Sequence, residues 1–148
     1  MDQKTRLLTQ LADARAAMQA VVTRVDPHQE IYPTWTIKQV LAHIAGWDEA
    51  VSDSLQAYLE NDESTIPAYR GVDDYNVRSV ETRQTLSYEQ VVREWEIERE
   101  RLNKLLKSVP DDKVDGIFLL PWSTRGTIAE MLGVVVYHEK EHALEINE

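Results

Sequence analysis

Thr36-Ile37-Lys38-Gln39-Val40-Leu41-Ala42-His43-Ile44-Ala45-Gly46-Trp47 opens on a capping box and runs directly into an apolar stripe with helical spacing. The Thr36 hydroxyl and the Gln39 side chain can satisfy orphan backbone donors reciprocally, so a helix begins here. Its apolar face reads Ile37, Val40, Leu41, Ile44 and Trp47, then continues through Val51, Leu55 and Tyr58.

Outward from that stretch the rhythm repeats. Leu7, Leu11, Ala14, Met18, Val21 and Val25 step by four and three, which predicts a first helix from about residue 3 to 25, closed by Pro27. A second capping box, Ser87-Tyr88-Glu89-Gln90, opens a helix that buries Val91, Val92, Trp95, Leu102, Leu105, Leu106 and Val109 and stops at Pro110. Arg93, Glu96, Arg99, Glu100 and Arg101 fill its other side and read as a solvated face. Thr127-Ile128-Ala129-Glu130 is a third box and starts the last helix. Asn61 to Gly71, with Pro67 inside, reads as a loop, and Asp73 to Leu86 as a shorter, less regular helical segment. Residues 111 to 125 are irregular, and Ile117-Phe118-Leu119-Leu120 fits either a brief extended segment or a buried turn. No period-two alternation is long enough to build a sheet. The expectation is an all-α four-helix bundle in a single domain spanning residues 1–148, with a short extra helix between the second and third long ones.

Composition limits the chemistry. A chain of 148 residues, 43% hydrophobic, suffices for one core. Without cysteine there are no disulfides, no thiolate metal ligands and no thiol nucleophile. A net charge of -10, with no basic cluster to offset it, repels a phosphate backbone, so nucleic acid and anionic membrane surfaces are not expected as partners. Met1-Asp2-Gln3-Lys4 lacks the layout of a signal peptide, and the longest apolar run, Met131 to Tyr137, is too short to span a bilayer; a cytoplasmic protein is expected.

Tyr137-His138-Glu139-Lys140-Glu141-His142 contains H-E-x-x-H, the pattern that in zinc proteases sets two imidazoles one helical turn apart with a glutamate as general base. A third ligand usually follows downstream, but only six residues follow His142, so it is expected from earlier in the chain, where His43 is the best candidate. Charged Lys140 and Glu141 in the middle of the motif, and the lack of a strand to hold an extended peptide, argue against a protease. Val135, His138 and His142 step by three and four onto the inward stripe of the last helix; Val40, His43 and Trp47 do the same on the second. If those helices are neighbours, the imidazoles converge, and bundle cores build metal sites in this way. The plain alternative is three hydrogen-bonded core histidines, two of them suiting the negative end of a helix dipole. His28, beside Pro27, reads as ordinary surface.

The segment from Trp35 to Trp47, together with Gly126-Thr127-Ile128-Ala129-Glu130-Met131-Leu132 and His138 to His142, resembles the DinB-like superfamily of four-helix bundles. Tyr75-Asn76 followed by the Ser87 helix start is similar to its DfsB/ClbS branch. The resemblance implies an up-down-down-up bundle, frequently a homodimer, holding a divalent metal, often nickel or zinc, through one histidine on the second helix and two on the last. His43, His138 and His142 match those positions. It further implies either thiol-dependent transferase, isomerase or hydrolase chemistry on a small-molecule substrate, using a low-molecular-weight thiol or water, or ClbS-type self-protection by capturing or opening a reactive metabolite, with or without metal. Glu139 is a candidate general base, although it lies ~100° around the helix from His138 and can equally face solvent or orient a ligand. Trp47, Tyr75, Asn76 and Trp122 are candidate pocket walls.

Overall fold

The computed structural model describes residues 2–63 and 66–146. Helix α1 (Gln3–Val22) is capped by the Asp2 carboxylate, which accepts from the Thr5 amide. Helix α2 (Ile37–Leu59) follows a tight turn in which Tyr32 and Trp35 bridge antiparallel. Next come α3 (Val72–Glu81), α4 (Tyr88–Ser108), a two-stranded antiparallel ribbon of β1 (Phe118–Leu119) and β2 (Arg125–Gly126), and α5 (Ile128–Ile146). Both reciprocal capping boxes form, at Thr36/Gln39 and Ser87/Gln90. At Thr127 the hydroxyl accepts from the Glu130 amide at 3.2 Å.

Several expectations shift, and the segment expected to be helical from Asp73 to Leu86 ends its helix at Glu81 and continues in turns. Helix α1 ends at Val22 rather than near residue 25, because Arg24 and Val25 both turn back to the Val21 carbonyl. The Ile117–Leu120 ambiguity resolves as an extended segment: Phe118 pairs with Gly126, its ring stacks on Tyr58 at 4.4 Å, and it is fully buried.

The directions of the helices follow from two stacked apolar clusters. One gathers Leu7 and Leu11 of α1 with Val51 and Leu55 of α2, Leu102 and Leu106 of α4, and Ile128 to Val135 of α5. The other gathers Met18 and Val21 with Ile37 to Ala45, Val91 and Trp95, and Ala143. Sequence therefore ascends between clusters on α1 and α5 and descends on α2 and α4. This is the up-down-down-up order, with α3 lying in the long crossover that a parallel α2–α4 pair requires.

Between the clusters each long helix contributes one charged side chain. Arg15 donates to Asp48 and to Glu139, both at 3.1 Å; Arg99 donates to Asp48 through Nε at 3.1 Å and Nη2 at 3.2 Å, and its Nη1 lies 3.2 Å from Glu139 Oε1. The two carboxylates are 1% exposed. Two cations and two anions balance, and the Arg15 guanidinium also lies over the Trp95 ring at 4.1 Å. Arg99 is thus not part of a solvated face. A helix buried from several sides leaves its long polar residues facing the core, where only pairing makes them tolerable.

Gly46 marks the closest approach of α3 to α2. A Cβ there would land on the Ser79 side chain, while the Gly46 carbonyl accepts from the Tyr75 hydroxyl at 2.8 Å.

Candidate metal centre

His43 on α2 and His138 and His142 on α5 meet above the second apolar cluster. Their Nε2 atoms face one another: His43 to His138 at 3.0 Å and His142 to His138 at 3.0 Å. One ligand atom from each ring falls within 4.8 Å of the others, the single such group of three among the described residues. The inward stripes anticipated from the spacing of three and four therefore do converge.

Burial keeps these rings neutral. The His43 pKa is pushed down to about 3, chiefly by desolvation and then by the two neighbouring histidines; His142 is pushed down to about 4 for the same first reason, and His138 is also lowered. Neutral imidazole is the metal-binding form.

The outer hydrogen bonds select the tautomer of His142. Tyr32 donates its hydroxyl hydrogen to Glu145 at 2.9 Å, so the contact of 2.8 Å between Tyr32 Oη and His142 Nδ1 needs its proton on the nitrogen. With Nδ1 protonated, His142 turns an Nε2 lone pair towards the other two rings. Burial beside Glu145 and Glu141 raises the Tyr32 phenol, which stays a donor.

A test of fit comes from counting protons. One N–H at His138 Nε2 can serve either neighbour but not both. The rings cannot satisfy one another, whereas a divalent cation accepts every inward lone pair. An all-imidazole donor set suits zinc, nickel, copper or iron rather than calcium or magnesium.

Glu139 does not join them. Its carboxylate turns to Arg15, Arg99 and the Trp95 indole, committed to the charged layer and 1% exposed. A carboxylate held by two guanidiniums has no path to a substrate proton.

Of the expected pocket walls, three line a cavity of ≈ 320 Å³ that opens beside His43 and His138: Trp47, Asn76 and Trp122. Tyr75 stands behind them, its ring 4.7 Å from that of Trp47 and its hydroxyl spent on Gly46. Sequence reading missed Tyr137 and the valines of this cavity, and it missed Tyr32, Trp35 and Glu145 around the histidines. Tyr32 and Trp35 come from a turn with no periodicity to reveal which way they face.

Residues 10–146 match the family model described as the DinB superfamily. The chain belongs to the DinB superfamily.

Three solved structures of the same fold illustrate its range. Colibactin self-resistance protein ClbS in complex with a dsDNA aligns at TM-score 0.79 with 12% identity, covering 97% of this chain and 93% of that one. YfiT from Bacillus subtilis, described as a probable metal-dependent hydrolase with an unusual four-helix bundle topology, aligns at 0.74 with 19% identity over 99% of this chain and 86% of that one. The mycothiol-dependent maleylpyruvate isomerase aligns at 0.76 with 16% identity; this DinB-superfamily chain is covered over 99% but spans only 63% of the isomerase. At these identities the likeness establishes the fold. No curated protein matches the sequence.

The ClbS complex corrects one expectation. Net charge argues against nucleic acid as a partner, yet a protein with this fold is found on duplex DNA. A chain-wide sum of -10 does not decide the matter, since exposed charges are screened beyond ~8–10 Å and a contact senses only its local face. No described helix is long and apolar enough to cross a membrane.

Proposed function

We propose that this protein is a metal-dependent enzyme of the DinB superfamily acting on a small molecule, of the thiol-dependent transferase or hydrolase type, with His43, His138 and His142 holding a divalent zinc or nickel ion. The observation that carries this reading is the convergence of three neutral imidazoles, His138 Nε2 lying 3.0 Å from the Nε2 atoms of both His43 and His142. A bound divalent ion supplies Lewis acidity and lowers the pKa of a water or thiol that reaches it. The chain's own residues do the rest. Tyr32 and Glu145 hold His142 in the Nδ1-protonated form, Trp47 and Trp122 exclude bulk water from one side, and Asn76 supplies a polar handle on the cavity wall.

A second reading rests on a specific feature: among the described residues no carboxylate lines the cavity, and Glu139 is committed elsewhere. A pocket with no base of its own suits a ClbS-type self-resistance protein that sequesters a reactive metabolite without turning it over.

Elemental analysis separates them. Untagged protein purified without added metal, and again after incubation with zinc or nickel, should carry near one ion per chain; His43→Ala and His138→Ala should lose it. Retention of the same metal by both variants, or none in the parent, removes the enzymatic reading. With metal bound, addition of a low-molecular-weight thiol and an electrophile then tests for transfer.

A further inference from the structure

Trp47 Nε1 donates to the Asn76 side chain at 2.6 Å. An indole N–H can only donate, so the atom it meets must be the carboxamide oxygen, and the orientation of Asn76 follows from the chemistry of its neighbour. With Oδ1 already accepting from the indole, Asn76 keeps its NH₂ group to offer a ligand in the cavity it lines. The remaining walls are Trp47, Trp122, Tyr137 and four valines, meeting His43 and His138 at the inner end. Among the described residues no lysine, arginine, aspartate or glutamate lines the cavity.

From this we infer that the cavity walls, apart from any ion at the histidines, select an uncharged ligand with a flat or branched apolar body and a hydrogen-bond acceptor, such as a carbonyl oxygen, directed at Asn76 Nδ2. While the histidines hold no ion, an anion would shed its hydration against apolar walls with no lysine or arginine among the described lining residues to replace it. A cation would likewise find no carboxylate. A neutral acceptor meets the Asn76 NH₂ group, and the aromatic walls supply the contact area. A cavity of ≈ 320 Å³ holds a fused bicyclic body with a short substituent.

This rests on the proposal that the cavity is the substrate pocket of the histidine site, but not on metal occupancy, so the test uses chelator-treated protein. Four probes share one ring system: 2-acetylnaphthalene (neutral, acceptor), 2-ethylnaphthalene (neutral, no acceptor), 2-naphthoate (anion) and 1-(2-naphthyl)ethylammonium (cation). Calorimetric titration should rank acetylnaphthalene first and both ions at least about tenfold weaker. Asn76→Asp keeps the acceptor for Trp47 Nε1 and replaces the NH₂ donor by a carboxylate oxygen that repels an acceptor, so it should weaken acetylnaphthalene about tenfold more than ethylnaphthalene. Ethylnaphthalene binding and far-ultraviolet circular dichroism report that the variant still folds. Either ion binding as tightly as the ketone, both neutral probes weakening equally in Asn76→Asp, or no neutral probe binding at all overturns the inference. Absence of metal from the untreated parent, with the probe ranking intact, would overturn only the enzymatic reading.

Discussion

Replacing Asp48 by asparagine keeps the side chain's shape and removes its charge. In the native layer Asp48 accepts three hydrogen bonds, one from Arg15 at 3.1 Å and two from Arg99 at 3.1 and 3.2 Å, and it is 1% exposed. Asp48→Asn would leave two guanidiniums against the single carboxylate of Glu139, with an amide N–H turned on groups that only donate. Breaking one side of a buried ion cluster costs ~3–5 kcal/mol, because the partner charge remains desolvated. For a chain of this size each kcal/mol moves Tm by ~2–4 °C, so circular dichroism melts should fall by about 6–20 °C. The second arm is diagnostic: adding Arg15→Met to Asp48→Asn removes one cation and restores balance around the Arg99–Glu139 contact of 3.2 Å. The double variant should recover at least ~1 kcal/mol relative to Asp48→Asn, a coupling expected only of residues sharing one network. A loss below about 1 kcal/mol for Asp48→Asn, or a double variant less stable than the single, would refute the account of this layer.

Other consequences can be checked with simple variants. Tyr32→Phe removes the group that holds the His142 Nδ1 proton, so chelator competition should show zinc affinity weakened ~10–100-fold with the fold intact; an unchanged affinity would remove Tyr32 from the site. In chelator-treated protein His43 and His142 stay neutral when folded, with pKa values pushed down to about 3 and about 4, but take up protons on unfolding below about pH 6.5. The unfolded chain then binds more protons, so stability falls as pH drops from about 6.5 towards 4, by up to ~1.4 kcal/mol per pH unit for each ring. His142→Gln should flatten the urea midpoint over that window, and identical slopes would count against buried neutral rings. Gly46→Ala should cost ~1–3 kcal/mol by overpacking against Ser79, and Ser79→Gly in the same chain should restore most of it; a neutral Gly46→Ala would show that α3 yields freely.

What the sequence made legible followed from periodicity and caps. Leu7, Leu11, Met18 and their counterparts on α2, α4 and α5 are buried as their spacing requires, and the Thr36 and Ser87 boxes form. His43, His138 and His142 were legible for the same reason, since a stripe position fixes azimuth. Arg15, Asp48 and Arg99 were not legible, because a hydrophobic pattern assigns a charged residue to solvent, and nothing within one helix reveals that a partner of opposite charge waits on another. Tyr32 and the hairpin at Phe118 were beyond reach too: each depends on a turn whose geometry is set by long-range contacts, the His142 ring for one and the Tyr58 ring for the other.

The H-E-x-x-H sequence gains its meaning from this division of labour. Successive residues on α5 differ by ~100° in azimuth, so His138 and Glu139 cannot face the same space. Glu139 is anchored by Arg15 from α1 and Arg99 from α4, which fixes the rotation of α5 about its axis. Asp48 does the same for α2 through the same two arginines, five residues beyond His43. Both helices that carry the site's histidines are thus clamped by one charged layer, and a change in their rotation would swing Nε2 atoms now 3.0 Å apart out of register. The glutamate of the motif thus holds the helix that carries the histidines, and the histidine cluster lies on another side of that helix.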